Sequence, residues 1–328
     1  MRVNLLVGTT LLTKEEVGQL SKFADVRIIE KLTDEELDDI LPSVESMLIN
    51  MWPKQLDATR ISEMRKLRFI QVGLAGVDHV PFRGLPKEVQ ISSNAGGYSD
   101  EVAEHAWGLL LAAAKRIARY DASLKSGEWK YSSPVERGLQ VMVLKGCKLG
   151  ILGYGGIGKA TAHIAKAFGM EVWAFTRHEG AQQGVRSFRG TRGLRQLLRG
   201  CDAFVLSLPL TRHTKGIIGE EQLKIMKDNA VVVNVGRAEL VDESALYFHL
   251  SVHPSFTYAT DVWWVKGGRE EYAPKLPFLS LFNFIGTPHV SGPSASVRGK
   301  PNAIAIQNLR RFARGEKPLN LVDRKEYA

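Results

Sequence analysis

The chain has 328 residues, 44% hydrophobic and 24% charged, a balance that fits a globular protein with room for two cores. Its two cysteines, Cys147 and Cys201, exclude a disulfide framework, and no apolar run reaches the ~18 residues of a membrane-spanning helix. The net charge of +9 is scattered, and its densest group (Arg186, Arg189, Arg192, Arg195, Arg199) has no interleaved aromatics, so a basic surface favouring small anions is expected and nucleic acid is not an expected partner.

The apolar start MRVNLLVGTTLL has no small-residue cleavage site and reads as a first strand rather than a signal peptide. With so few cysteines, a reducing, cytoplasmic setting is expected. From Val3 to about Gln90, strand and helix patterns alternate. Val3–Val7, Val26–Ile29, Ser46–Asn50 and Phe69–Val72 read as strands. Helices are expected over Thr13–Phe23, Thr33–Leu41 and Leu56–Met64, the first two opened by capping boxes, Thr13 with Glu16 and Thr33 with Glu36. This alternation predicts a parallel sheet with helices on both faces. Two glycine-rich loops follow strands, Gly73–His79 and Asn94–Tyr98, where ligands bind in open α/β sheets. One long helix is then expected over Ser99–Tyr120, acidic at its start and basic at its end. The stretch from Lys125 to Arg137 reads as irregular.

The stretch Lys148–Gly169 reads KLGILGYGGIGKATAHIAKAFG. Strand Lys148–Leu152 runs into Gly153-Tyr154-Gly155-Gly156-Ile157-Gly158, then a helix, then strand Glu171–Phe175. This is the G-x-G-x-x-G fingerprint of a Rossmann dinucleotide site in its required context. Gly153 serves the tight turn, Gly155 the approach of a pyrophosphate, and Gly158 the close packing of helix on strand. The helix N-terminus faces the phosphates. An acidic residue at the end of the next strand would hold the ribose hydroxyls of NAD, but Thr176-Arg177-His178 stand there. Arg177 can pair with a 2′-phosphate, which favours NADP. An Arg177 that stays in solvent would leave NAD acceptable. Beyond this, helices are expected over Arg189–Leu198, Ile218–Met226, Asp242–Leu250 and Ser294–Arg314, and strands over Asp202–Leu208, Ala230–Val235, Phe256–Val262 and Phe284–Ile285.

A nicotinamide dehydrogenase needs a proton donor for the substrate carbonyl and a cation for its charge. Arg237, at the tip of an apolar strand, is a candidate clamp. His289, after the Thr287-Pro288 turn, is a candidate donor. Both types are more often solvated or structural.

Together these segments resemble the D-2-hydroxyacid dehydrogenases, the family of phosphoglycerate, glyoxylate/hydroxypyruvate and formate dehydrogenases. The matching stretches are Gly76–His79, Val102–His105, Lys148–Gly158, Leu208–Thr211, Met226–Arg237, Thr260–Val262 and Thr287–Gly292. The resemblance implies two doubly wound α/β domains: a flavodoxin-like substrate domain (1–98 and 290–328) with a Rossmann NAD(P)-binding domain (99–289) inserted in it. It implies a cofactor cleft between them, usually a homodimer, and reduction of a small 2-keto acid such as glyoxylate or hydroxypyruvate to the D-2-hydroxy acid. His289 would be the acid/base and Arg237 the substrate clamp. The N–H groups of Ala75 and Gly76 would cradle the carboxylate, with Tyr98 near the substrate. Asp261 and the Val235 carbonyl would hold the nicotinamide carboxamide. Further cofactor contacts would come from Tyr154, Gly156, Ile157, His178, Leu208, Pro209, Thr214, Gly236 and Gly292.

One position departs from the family pattern. Where a glutamate usually pairs with the histidine, this chain has Lys266. Lys266 points to solvent, or Glu270 or Glu271 replaces the glutamate, or Lys266 contacts the substrate. That departure and the basic charge keep open a second class, a dinucleotide-sensing, corepressor-like binding protein. A formate dehydrogenase is disfavoured because Tyr98 stands where that group has an asparagine. Trp52, Tyr98, Trp263 and Trp264 point to a tight pocket, although buried core is the commoner fate of tryptophan.

Overall fold

The computed structural model describes residues 2–9, 12–129, 141–177, 184–266, 269–270, 275–292 and 299–327, with the side chains of 265–266, 269–270 and 299–300 left out. The chain forms two compact units, Met1–Tyr98 with Pro293–Ala328, and Ser99–Gly292.

In the first unit, β1 (Val3–Gly8), α1 (Lys14–Ser21), β2 (Ala24–Ile28), α2 (Asp34–Ile40), β3 (Ser46–Ile49), α3 (Ala58–Glu63), β4 (Phe69–Val72) and β5 (Gln90–Ser92) alternate. The parallel sheet has the order β2-β1-β3-β4-β5, the flavodoxin-like winding. Both capping boxes form: the Thr13 and Thr33 hydroxyls accept from the Glu16 and Glu36 amides, and each glutamate accepts in return from its cap. Each face of the sheet is buried, as alternation along β1 requires. Leu5 and Val7 join Leu48, Phe69 and the helix Gly299–Ala313, while Leu6 joins Met47, Ile70 and Val72. Inside this unit the buried Asn308 amide donates to Gln71 Oε1 at 2.6 Å.

The second unit opens with α4 (Ser99–Ala114) and α5 (Ile117–Lys125), not one continuous helix. The break falls at Arg116, whose left-handed backbone (φ 55°) cannot continue the α4 hydrogen-bond ladder. Then come β6 (Lys148–Leu152), α6 (Gly156–Ala167), β7 (Glu171–Phe175), β8 (Val185–Phe188), α7 (Gly190–Gly200), β9 (Ala203–Leu206), α8 (Glu220–Lys224), β10 (Val231–Asn234), α9 (Glu243–Val252), β11 (Thr257–Thr260), β12 (Val265–Lys266), β13 (Arg269–Glu270) and β14 (Phe284–Gly286). The parallel sheet runs β14-β11-β10-β9-β6-β7-β8. The winding direction reverses between β6 and β9, which makes that point the switch point of a Rossmann sheet. Three of these strands, β8, β12 and β13, are absent from the sequence reading. The edge strand β8 carries two exposed polar residues, Arg186 and Ser187, that hide its pattern, and β12 and β13 form only a two-residue hairpin. Trp263 and Trp264 are core residues of this unit rather than pocket walls. Trp264 stacks on Phe278 at 5.2 Å, and the Trp263 indole N–H donates to the Thr287 carbonyl at 2.8 Å.

Candidate active site

Strand pairing within the second unit aligns Phe188, Phe175, Leu152, Leu206, Asn234, Thr260 and Gly286 in one row across the sheet. The residues that follow each of them therefore share the carboxyl edge, where such sheets bind ligands. In sheet order these are Arg189, Thr176-Arg177, Gly153, Ser207-Leu208, Val235-Gly236-Arg237, Asp261 and Thr287-Pro288-His289. From Thr176 to Asp261 the row crosses four strand intervals, about 19 Å at ~4.8 Å each, room for an extended dinucleotide.

The glycine turn is built as its sequence requires. Gly153 has φ +103°, and a Cβ there would lie 2.8 Å from the Ser207 carbonyl. A Cβ on Gly158 would meet the Gly153 oxygen at 2.1 Å, so helix and turn touch through hydrogen alone. Gly155 differs, because a Cβ there meets nothing within 4 Å. Its glycine keeps a space open rather than relieving a clash. The N–H groups of Gly155, Gly156 and Ile157 donate to nothing among the described residues, and α6 has no side-chain cap. Open amides, an open space and a helix dipole fit a pyrophosphate. Thr176 sits beside β8, its N–H donating to the Phe188 carbonyl at 3.1 Å. His178 lies outside the described residues.

On the other side of the switch point, Asn234 braces the substrate-clamp candidate. Its buried amide donates to the Arg237 carbonyl at 2.8 Å and to the Tyr258 hydroxyl at 3.0 Å, and its oxygen accepts the Gly236 N–H at 3.0 Å. Gly236 leaves no room for a side chain, since a Cβ would lie 2.9 Å from both the Leu208 carbonyl and Leu240. Thr214 shapes the neighbouring loop. Its hydroxyl donates to the Pro209 carbonyl at 2.6 Å and accepts the Thr211 N–H at 2.8 Å.

The His289 loop is held by Asp261, which is wholly buried. Asp261 accepts from the Thr287 hydroxyl at 2.6 Å, the Val290 N–H at 3.0 Å and the Ser291 N–H at 2.9 Å. His105 of α4 adds its Nε2, 2.9 Å from the Thr287 hydroxyl and 3.5 Å from Asp261 Oδ1. Since that hydroxyl donates to Asp261, it accepts from a protonated His105 Nε2. Burial pushes the Asp261 carboxyl pKa upward, but the hydrogen bonds from Ser291, Thr287 and Val290 outweigh it and hold the group below the ordinary aspartate value. Between the gripped residues His289 sits exposed, with left-handed backbone (φ 53°), a conformation rare for a residue with a side chain and frequent at functional sites. Asn234, His105 and Thr287 lie within the segments that resemble the family, but their roles emerge only from the fold. The signal available was a polar residue ending an apolar strand, or facing inward from an apolar helix.

In the first unit, the loop after β4 begins at Gly73, where a Cβ would strike Asn50 Oδ1 at 2.2 Å. Buried Asn94 ties this loop to the next. Its N–H donates to the Leu74 carbonyl at 2.9 Å and its amide to the Gly73 carbonyl at 3.0 Å. The N–H groups of Ala75 and Gly76 donate to nothing among the described residues. Tyr98 is half-buried at the end of the second loop. The side chain of Lys266 lies outside the described residues. Among the described residues, no helix is long and apolar enough to cross a membrane, and no group of acidic, histidine and cysteine side chains is arranged to hold a metal.

Comparison with known proteins identifies the family. Residues 107–291 match the model of the D-isomer specific 2-hydroxyacid dehydrogenase NAD binding domain. A glyoxylate reductase of Aeropyrum pernix is 31% identical over 319 residues, covering 95% of this chain and 93% of that one. A hydroxypyruvate reductase of Thermotoga maritima is 32% identical over 300 residues, 91% and 92% of the two chains. The crystal structure of a formate dehydrogenase candidate from Pyrobaculum aerophilum superposes with a TM-score of 0.83 at 32% identity, covering 99% of this chain and 100% of that one. The chain belongs to the D-isomer specific 2-hydroxyacid dehydrogenase family, and is an NAD(P)-dependent oxidoreductase.

Proposed function

We propose that this dehydrogenase reduces a small 2-keto acid, glyoxylate or hydroxypyruvate, to the D-2-hydroxy acid, with NADP preferred over NAD. The observation that carries the reading is the placement of Arg237 and His289 on one edge of the sheet, after β10 and β14, with β11 between them. A bound nicotinamide cofactor supplies the hydride at that edge. The Arg237 guanidinium pairs with the substrate carboxylate and keto oxygen, a planar match that lysine cannot make. His289 donates the proton to the carbonyl oxygen, and in the reverse direction takes it from the hydroxyl. In the first unit, the N–H groups of Ala75 and Gly76 are suited to a carboxylate, and Tyr98 ends the neighbouring loop as a candidate substrate contact. On the cofactor side, the N–H groups of Gly155, Gly156 and Ile157 take the pyrophosphate, and Arg177 takes the 2′-phosphate. The turns at Tyr154, Leu208-Pro209, Thr214, Gly236 and Gly292 line its course. The Val235 carbonyl holds the carboxamide, and Asp261 in this reading serves chiefly to seat the His289 loop.

A homodimer in the cytoplasm is part of the proposal. It is supported by apolar side chains that the single chain leaves exposed: Ile117 (53%), Leu124 (55%) and Trp129 (78%) on and just after α5, a helix with no buried residue of its own.

The test is oxidation of NADPH and NADH with a panel of glyoxylate, hydroxypyruvate and pyruvate, on the wild type and His289→Ala. The variant should bind NADPH normally and lose on the order of 10²–10⁴-fold in kcat/KM. Full turnover by His289→Ala would remove His289 from its role, and NADPH binding without turnover of any 2-keto acid would overturn the substrate assignment.

A further inference from the structure

The arginine group of the β8–α7 segment has no part in the proposed reaction. From Gly184 to Cys201 the sequence has five arginines and no acidic residue. The structure separates them. Arg192, Arg195 and Arg199 are exposed along α7, opposite the buried Leu194, Leu197 and Leu198. Arg186 lies over the Trp173 and Phe188 rings, at 4.8 and 5.1 Å, and is committed to that stack. Arg189 alone follows the end of a strand. Its extended backbone (φ −143°, ψ 157°) carries β8 one residue past Phe188, the partner of Phe175, and the Thr176 N–H donates to the Phe188 carbonyl. Adjacent strands lie ~4.8 Å apart, so Arg189 stands one strand from the Thr176-Arg177 step, on the same carboxyl edge.

We infer that Arg189 is a second specificity-determining residue for the cofactor, and that it clamps a ribose 2′-phosphate together with Arg177. Two guanidinium groups from neighbouring strand ends can approach one phosphate from two sides, each with charge-assisted hydrogen bonds that a ribose hydroxyl cannot match. This rests on the reading of the Thr176-Arg177 step as the place of the adenosine ribose.

Binding of small adenosine phosphates tests it without any turnover. Adenosine 2′,5′-bisphosphate and adenosine 5′-phosphate are titrated by calorimetry into the full chain, wild type and the variants Arg177→Ala, Arg189→Ala and Arg195→Ala. The wild type should bind the bisphosphate more tightly. Arg189→Ala should weaken the bisphosphate roughly tenfold, the effect of one charge-assisted hydrogen bond, and change the monophosphate less than twofold. Arg195→Ala, on the exposed face of α7, should change neither. An Arg189→Ala variant with no loss, with equal losses for both ligands, or with a loss that Arg195→Ala reproduces overturns the clamp. A wild type that binds both ligands equally overturns instead the 2′-phosphate preference on which the clamp rests.

Discussion

The Thr287 hydroxyl donates to the Asp261 carboxylate at 2.6 Å, and the same carboxylate takes the Val290 and Ser291 amides. One buried side chain therefore holds the Thr287 hydroxyl before the histidine and two backbone N–H groups after it. A left-handed residue costs of order 1–3 kcal/mol and persists only where its surroundings over-determine it. Here the surroundings are Asp261, His105 and Trp263.

Asp261→Asn replaces an acceptor of three N–H or O–H groups by an amide that must turn a donor toward one of them. The expected outcome is a fall in kcat of about 10²-fold from misplacement of His289, with NADPH affinity changed only a few-fold. Steady-state kinetics and a fluorescence titration check the split, and an unchanged kcat would show that the grip does not position the histidine. The carboxyl has a depressed folded pKa, so its contribution to stability is complete above the unfolded value of ~3.9 and is lost as pH falls through the lower folded value. The Asp261 carboxylate should thus keep its grip across the neutral range.

Two glycines of one turn should fail in different ways. Gly158→Ala forces a Cβ against the Gly153 oxygen and should destabilise the protein by about 1–3 kcal/mol or more, seen as a lower melting temperature. Gly155→Val puts side-chain atoms into the open space of the cradle. The variant should keep its melting temperature within a few degrees and lose NADPH binding. Retained binding would mean that the pyrophosphate does not approach Gly155.

His249 gives a stability prediction away from the site. Burial, and next the charge of His253 stacked 4.2 Å away, lower its pKa from 6.5 to about 4. The unfolded chain then binds more protons between these values, so stability falls as pH drops through that window. The full shift corresponds to about 3 kcal/mol, and partial solvent contact reduces this to roughly 1–2 kcal/mol. Urea unfolding at about pH 7 and about pH 4.5 should show a smaller pH effect in His249→Gln than in the wild type, and equal slopes would rule out His249 as the source.

Local chemistry was legible in the sequence. Thr13 and Thr33 with their glutamates announced two helix starts, and the β6–α6 glycines announced both a turn and a ligand, because each depends on residues within a few positions. What escaped depends on distant partners. Nothing near Asp261 says that its acceptors serve residues 26 to 30 positions later. The edge strand β8 pairs on one side only and tolerates polar residues on its open face, so its pattern faded. The break at Arg116 also went unread, since the residues around it are good helix formers and only the backbone angle marks the end of α4.

The hydrogen bond from Asn308 to Gln71 joins positions 237 residues apart, and Ala305, Ile306 and Leu309 complete the core around Phe69. During synthesis the strands β1 to β5 therefore emerge long before the helix that covers one face of their sheet. The segment from 99 to 292 is continuous and can close its own core while that face is still bare. Translation that stops short of residue 299 would release a chain with a finished cofactor unit and an open apolar sheet. Quality control in the cell has a ready mark there by which to recognise the unfinished product.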